Sequence, residues 1–119
     1  MPDPSKKIKR QLREYLTEAY ERELHRELTK LDQSFAEWRA SKISSGELSY
    51  RIHQYETGPS RQLYQHYNSG EVEMTVAYAI VTGLLSRDEI SADVLAALQR
   101  QLSFYQAIKA EGKLKEPGT

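Results

Sequence analysis

The chain has 119 residues, with 17 lysines and arginines balanced by 17 acids, three histidines and no cysteine. The missing cysteine excludes disulfide scaffolds, thiolate zinc sites and cysteine nucleophiles. The zero net charge leaves no global field to draw the molecule to nucleic acid or an anionic membrane. One domain is expected. Mean hydropathy is low, at −0.71, but the apolar residues recur with helical spacing, which favours folded helices with solvated faces over disorder.

Residues 1–4 contain two prolines and are expected to be irregular. No apolar run follows them, and the longest apolar-rich stretch, Val76 to Leu85, is too short to span a bilayer, so a cytoplasmic location without membrane contact is expected. Ser5 is placed to cap a first helix of about residues 5–42, since no proline or glycine intervenes before Gly46. Such a helix is roughly 55–60 Å long, against a diameter of roughly 35 Å for a compact domain of this size.

The apolar pattern of this helix changes face. Ile8, Leu12, Tyr15 and Ala19 fall within about 60°, and Leu24, Leu28, Leu31, Phe35 and Trp38 within about 80°. The two groups point roughly 160° apart, with Leu16 and Tyr20 on the spiral between them. One neighbour cannot cover both. The expectation is that residues 24–38 pack on their own domain and that residues 5–23 project, with Ile8, Leu12, Tyr15, Leu16, Ala19 and Tyr20 as a dimer interface; two helices joined by a bend near residues 17–23 is the alternative. Glu18–Arg22, Glu23–Arg26 and Glu27–Lys30 have ion-pair spacing. Lys6, Lys7, Lys9, Arg10 and Arg13 make a basic first stretch that opposes the helix dipole.

Ser44 and Glu47 form a capping-box pattern ahead of a second helix of about 45–57. Gly58-Pro59 is expected to end it and turn the chain into a short third helix, about 59–67. Asn68-Ser-Gly70 reads as a turn. A fourth helix of about 71–85 buries Val72, Val76, Ala79, Ile80 and Leu84, with Gly83 near its end. Ser86 with Glu89 is a second capping box, and Ser91 caps a last helix that ends at Gly112, with Ile90 and Leu95 as a hydrophobic staple. Residues 113–119 are read as a frayed tail. The chain is therefore expected to be all-α: a long N-terminal helix with a cap of four shorter ones, in a single domain.

There is no Walker loop, no zincin-type histidine pair and no paired-carboxylate pattern, and no cofactor is implied. The candidate chemistry concentrates at the Gly58-Pro59 corner. If the flanking helices fold back there, His53, Glu56 and His66 converge as a zinc-like triad with an open position, although polar residues at a helix corner explain them more simply. Ser60 and Arg61 at a helix N-terminus make an anion site, unless Arg61 pairs with Glu56. Tyr55, Tyr64 and Tyr67 add a tyrosine-rich surface of the kind found at protein interfaces.

The stretch Ile52-His-Gln-Tyr-Glu-Thr-Gly-Pro-Ser-Arg-Gln-Leu-Tyr64, followed by Val76-Ala-Tyr-Ala-Ile-Val-Thr-Gly-Leu-Leu85, resembles small uncharacterised bacterial helical proteins over residues 48–90. The resemblance implies a bacterial cytoplasmic origin and carries no activity. The favoured functional expectation is a non-enzymatic, homodimeric interaction or regulatory module that binds a protein partner through His53–Tyr67. The alternatives are a nucleic-acid or phosphate binder using Lys6–Arg13 and Arg61, and a metal-dependent enzyme using His53, Glu56 and His66.

Overall fold

A computed structural model describes residues 4–118; the expectation for residues 1–3 lies outside them. The fold is all-α, with six α-helical segments in the order α1 (Pro4–Arg39), α2 (Ser45–Tyr55), α3 (Arg61–Tyr67), α4 (Val72–Val81), α5 (Ala92–Ala97) and α6 (Gln99–Ala110). A π-helical turn, Glu56–Ser60, joins α2 to α3, and a 3₁₀ turn, Arg87–Glu89, precedes α5.

Helix α1 is one unbroken element of 36 residues, beginning at Pro4. A proline is tolerated in the first turn because the N–H it lacks would have had no intrahelical partner. At 1.5 Å per residue it is about 54 Å long, and it sets the long dimension of a molecule measuring 59 × 38 × 24 Å. The radius of gyration is 17.6 Å, against about 13.5 Å for a compact chain of this length. Ser41, at φ 59°, ends the helix in the left-handed conformation. Its N–H donates to Trp38 O at 3.0 Å, and Lys42 N–H to Glu37 O at 2.8 Å. Both bonds satisfy carbonyls that the helix end would otherwise orphan.

The two stripes of α1 are served by two different sets of neighbours. The first half packs on α4 and α5, in a core that also contains α6. Leu12 and Ala19 are buried there, with Ile8, Tyr15, Leu16 and Tyr20 packed around them. The expectation that this stripe projects is thus corrected: its own chain buries Leu12 and Ala19 and covers Ile8, Tyr15, Leu16 and Tyr20 in part. The largest fully enclosed side chains of this core are Val76, Leu85, Val94, Leu98 and Leu102, contributed by α4, α5, α6 and their connections. The second half of α1 packs against α2, which turns back beside it after the Ser41–Ser44 break. Leu48 of α2 is buried, while Leu28, Trp38 and Ile52 stay exposed. This end is a two-helix leaf standing off the core.

Polar cross-ties fix the leaf and the core to the spine. Arg22 donates from Nη1 to Leu84 O at 2.9 Å and to Glu89 Oε1 at 2.7 Å, from Nη2 to Glu89 Oε2 at 3.0 Å, and from Nε to Glu18 Oε1 at 2.9 Å. Glu89 also accepts Ser86 N–H at 2.9 Å, completing the capping box read from the sequence. The Arg22 guanidinium holds the Glu89 carboxyl below its ordinary value. Tyr15 Oη accepts Ser91 N–H at 3.0 Å, so α1 reaches the N-cap of α5 directly. In the leaf, Arg51 bonds Glu47, Ser34 and Glu37. Because Glu47 is held by Arg51 at 3.0 Å, only the Ser44 half of the first capping box forms.

Several expected boundaries differ: α1 ends at Arg39 rather than near residue 42, and α4 at Val81 rather than near residue 85. The last helix is divided at Leu98 (φ −97°, ψ 11°) into α5 and α6, although the N–H of Leu98 and of Leu102 still bond backwards and keep the path helical. The larger difference is at Gly58-Pro59. Gly58 is not among the positive-φ glycines, which are Gly70, Gly83, Gly112 and Gly118. The chain therefore does not turn there. Pro59 has no N–H to give the preceding turn, and its ring would crowd a regular helix. A π-turn widens the helix by one residue and absorbs both problems. The result is a nearly continuous rod from Ser45 to Tyr67.

Two sets of substitutions follow from this packing. Gly58→Ala is expected to change stability by less than about 1 kcal/mol in urea unfolding: the backbone is helical and nothing beyond its own helix and chain neighbours lies within 4 Å of the new Cβ, which favours alanine, while the ring of Pro59 opposes a Cβ on the residue before it; a corner with positive φ would give a larger loss. Leu98→Ala is expected to cost about 3 kcal/mol, whereas Leu28→Ala on the leaf should cost less than about 0.5 kcal/mol.

Candidate functional site

The continuous rod separates the residues expected to converge. His53 and His66 are thirteen residues apart, roughly 20 Å along a helical path, and no group of three or more histidine, aspartate or glutamate residues among those described is placed to hold a metal ion. The convergence of His53, Glu56 and His66 does not occur. Both histidines are exposed, as is Glu56. Arg61 Nη2 reaches Glu56 Oε1 at 3.4 Å, with both side chains mostly in solvent. The expected anion site is also absent. Ser60 is in helical geometry (φ −58°, ψ −50°) and makes no cap bond. The rod runs on through it, so no N-terminus opens there. Arg61 also lies apart from Lys6–Arg13: its neighbour Pro59 shares a hollow with Glu27 and Lys30, about 25 Å along α1 from Arg10. The two basic groups do not form one patch.

The tyrosines divide by environment. Tyr64 is 62% exposed, Tyr55 is half-buried, and Tyr67 is buried at 5%. Tyr67 and Glu23 together make the feature that the sequence did not disclose. Glu23 is spaced to pair with Arg26 on a solvated helix face, but it is 6% exposed, and its Oε2 accepts a hydrogen bond from Tyr67 Oη. The reason lies in where α3 sits. It packs on α1 at the crossing between the two apolar stripes, and it places Tyr67 flat against Tyr20, with ring centroids 4.8 Å apart and 13° between planes. Offset stacking of two phenol rings favours that arrangement. His66 meets Tyr67 edge-on at 4.9 Å and Tyr78 at 5.8 Å, and Tyr78 meets Tyr105 at 5.5 Å. A band of rings thus links α1, α3, α4 and α6.

The segment after α6 closes the other side. Residues 113–118 carry no helix, yet they lie across the body: Tyr78 Oη donates to Lys115 O, and Leu114 and Pro117 are half-buried. Between this segment, α1 and α3 lies a cleft of 160 Å³ lined by Glu23, Gln62, Leu63, His66 and Tyr78. An adjoining hollow of 230 Å³ shares Glu23, Gln62, Leu63 and Gly118. Burial raises the Tyr67 hydroxyl well above its ordinary value, and the bond to Glu23 adds to this. Burial, with the Glu23 charge behind it, pushes Tyr78 up to about 12.

No protein-family model matches this sequence, and comparison with curated proteins and with solved structures gives no match either. No helix among the described residues is long and apolar enough to cross a membrane.

Two outcomes test the tyrosine–glutamate arrangement. Tyr67→Phe removes the donor to a buried carboxylate and is expected to lower stability by about 1–3 kcal/mol. For pH, a phenol whose folded value is raised contributes stability that is present below its unfolded value of 10.0 and is lost as pH climbs through the folded value. Chemical denaturation should therefore show a loss of stability as pH rises from 10.0 towards about 12, and Tyr78→Phe should reduce that loss.

Proposed function

We propose that this protein is a non-enzymatic helical interaction module that works as a homodimer, associating through the outer face of the α1–α2 leaf. The observation that carries this reading is the exposure of large apolar side chains there: Leu28 at 47%, Trp38 at 40% and Ile52 at 38%. Leu24, Leu31 and Phe35 beside them are only half-buried. A helix stripe is stable when a second layer covers it, and α2 alone covers one flank.

The leaf has a polar side and an apolar side. Arg51 closes one side of the seam through Ser34 and Glu37. Leu28 lies roughly 120–180° around α1 from those two residues. On α2, Arg51 and Ile52 flank buried Leu48 on opposite sides, by the same angular reckoning. Leu28, Phe35 and Ile52 thus share the side away from the ion pairs. Two such faces stacked about a two-fold axis make a four-helix layer pair, the usual solution for a helical hairpin.

The chain's zero net charge puts no overall repulsion between copies. A face two helices wide, at about 10 Å per helix, and running from Leu24 to Trp38, about 21 Å, offers roughly 400 Å² a side. That is small for an obligate dimer, so the association is reversible and leaves the same face open to exchange with a partner of similar chemistry.

Light scattering from low micromolar to millimolar concentration should show the mass rising from monomer to dimer. Leu28→Asp should hold the protein at the monomer mass throughout, with its stability changed by less than about 0.5 kcal/mol. A wild-type protein that stays monomeric at millimolar concentration, or a Leu28→Asp protein that still dimerises, would overturn the reading.

A further inference from the structure

We infer that the cleft between α1, α3 and the C-terminal segment is a binding site for a short primary alkylammonium ion, held by Glu23. The starting point is an imbalance in how the chain treats its carboxylates. Glu18, Glu27, Glu37, Glu47, Glu56 and Glu89, all more exposed, each pair with an arginine or lysine. Glu23 is the most buried acid among the described residues and forms no such pair. Among the described residues its hydrogen-bond donor is neutral, the Tyr67 hydroxyl, and this engages Oε2. Removing a carboxylate from water is costly unless a counter-charge compensates it. Glu23 instead borders both the 160 Å³ cleft and the adjoining 230 Å³ hollow, so its unpaired charge faces open space.

The surroundings fit a monocation. Around the cleft, Lys115 and Glu116 bring opposite charges, and in the hollow Lys30 is paired with Glu27 at 3.0 Å. Beyond these offsetting charges, the carboxylate that lines both spaces is that of Glu23. A divalent metal is not served, because no group of three or more ligating side chains is assembled among the described residues. An ammonium group is served better. Its N–H bonds have the Glu23 carboxylate and the Gln62 side chain to meet. The rings of Tyr78 and His66 line the same wall, where aromatic faces attract organic cations.

Size sets the rest. At about 30 Å³ per water, the cleft holds the equivalent of about five waters, enough for an ammonium head and a few carbons. Leu63 and Pro59 offer an apolar path for a short chain into the hollow. Tyr78 ties the C-terminal segment down through Lys115 O, so that segment forms one wall of the cleft, which stays open to solvent for an ammonium ion to enter.

The test is a titration of the full chain with ethylammonium chloride, followed by the NMR ring-proton shifts of Tyr78 and His66, with sodium chloride and ethanol as matched controls. Saturable shifts with ethylammonium alone are expected. Glu23→Gln keeps an acceptor for Tyr67 but removes the charge, and should weaken binding about tenfold or more. Tyr78→Leu, read through His66, should weaken it severalfold, and it decides the matter if Glu23→Gln does not fold. No saturable shift in the wild type, equal shifts with sodium chloride, or unchanged affinity in the folded variants would overturn the inference.

Discussion

The fold depends on a single geometric mismatch within α1. Its apolar residues form two stripes on nearly opposite sides, and the helix between them does not bend. No one layer can cover a straight helix patterned in this way. The chain answers with two layers: α4 and α5 on the first stripe and α2 on the second. Helix α1 is thus a shared spine, and the elongated shape follows from it.

The crossing between the stripes is where the polar chemistry gathers. Arg22, Glu23 and Tyr20 all fall within this stretch. Arg22 turns towards the core side and ties down Leu84 and Glu89, while Tyr20 and Glu23 turn towards α3 and receive Tyr67. Both contacts are made across more than 40 positions of chain. They help to fix the rotation of α1 between the two apolar assemblies. A carboxylate buried at such a crossing is compatible with stability because a phenol satisfies one oxygen; the other is left facing a cleft.

Much of the secondary structure was legible because local chemistry determines it. The Ser86–Glu89 box, the Ser91 cap, and the helix ends near Gly83 and Gly112 depend on neighbours within a few residues, and all appear. The two stripes were also legible, together with the fact that one neighbour cannot cover both. Which stripe would be covered by the main core was not, since that depends on the distant Val76, Val94 and Leu98. Gly58-Pro59 misled because the same dipeptide suits a corner and a π-turn, and the choice rests on whether α2 and α3 both find support along α1. Glu23 was hidden for a similar reason. Its spacing to Arg26 resembles a surface ion pair, and only the arrival of Tyr67 from 44 positions away makes it a buried acid. The loss of the corner also removes the metal and anion readings that depended on it.

The straightness of α1 is the most direct thing to measure. The chain has no native cysteine, so Lys9→Cys and Arg39→Cys can carry the only two nitroxide labels. These positions are 30 residues apart on one helix, about 45 Å by rise. Pulsed dipolar spectroscopy on dilute protein, with doubly labelled chains diluted into unlabelled protein to suppress contacts between copies, should give one narrow distribution centred close to that length. A distribution shifted well below it, or split in two, would mean a bend near residues 17–23. It would contradict a single spine that serves two faces.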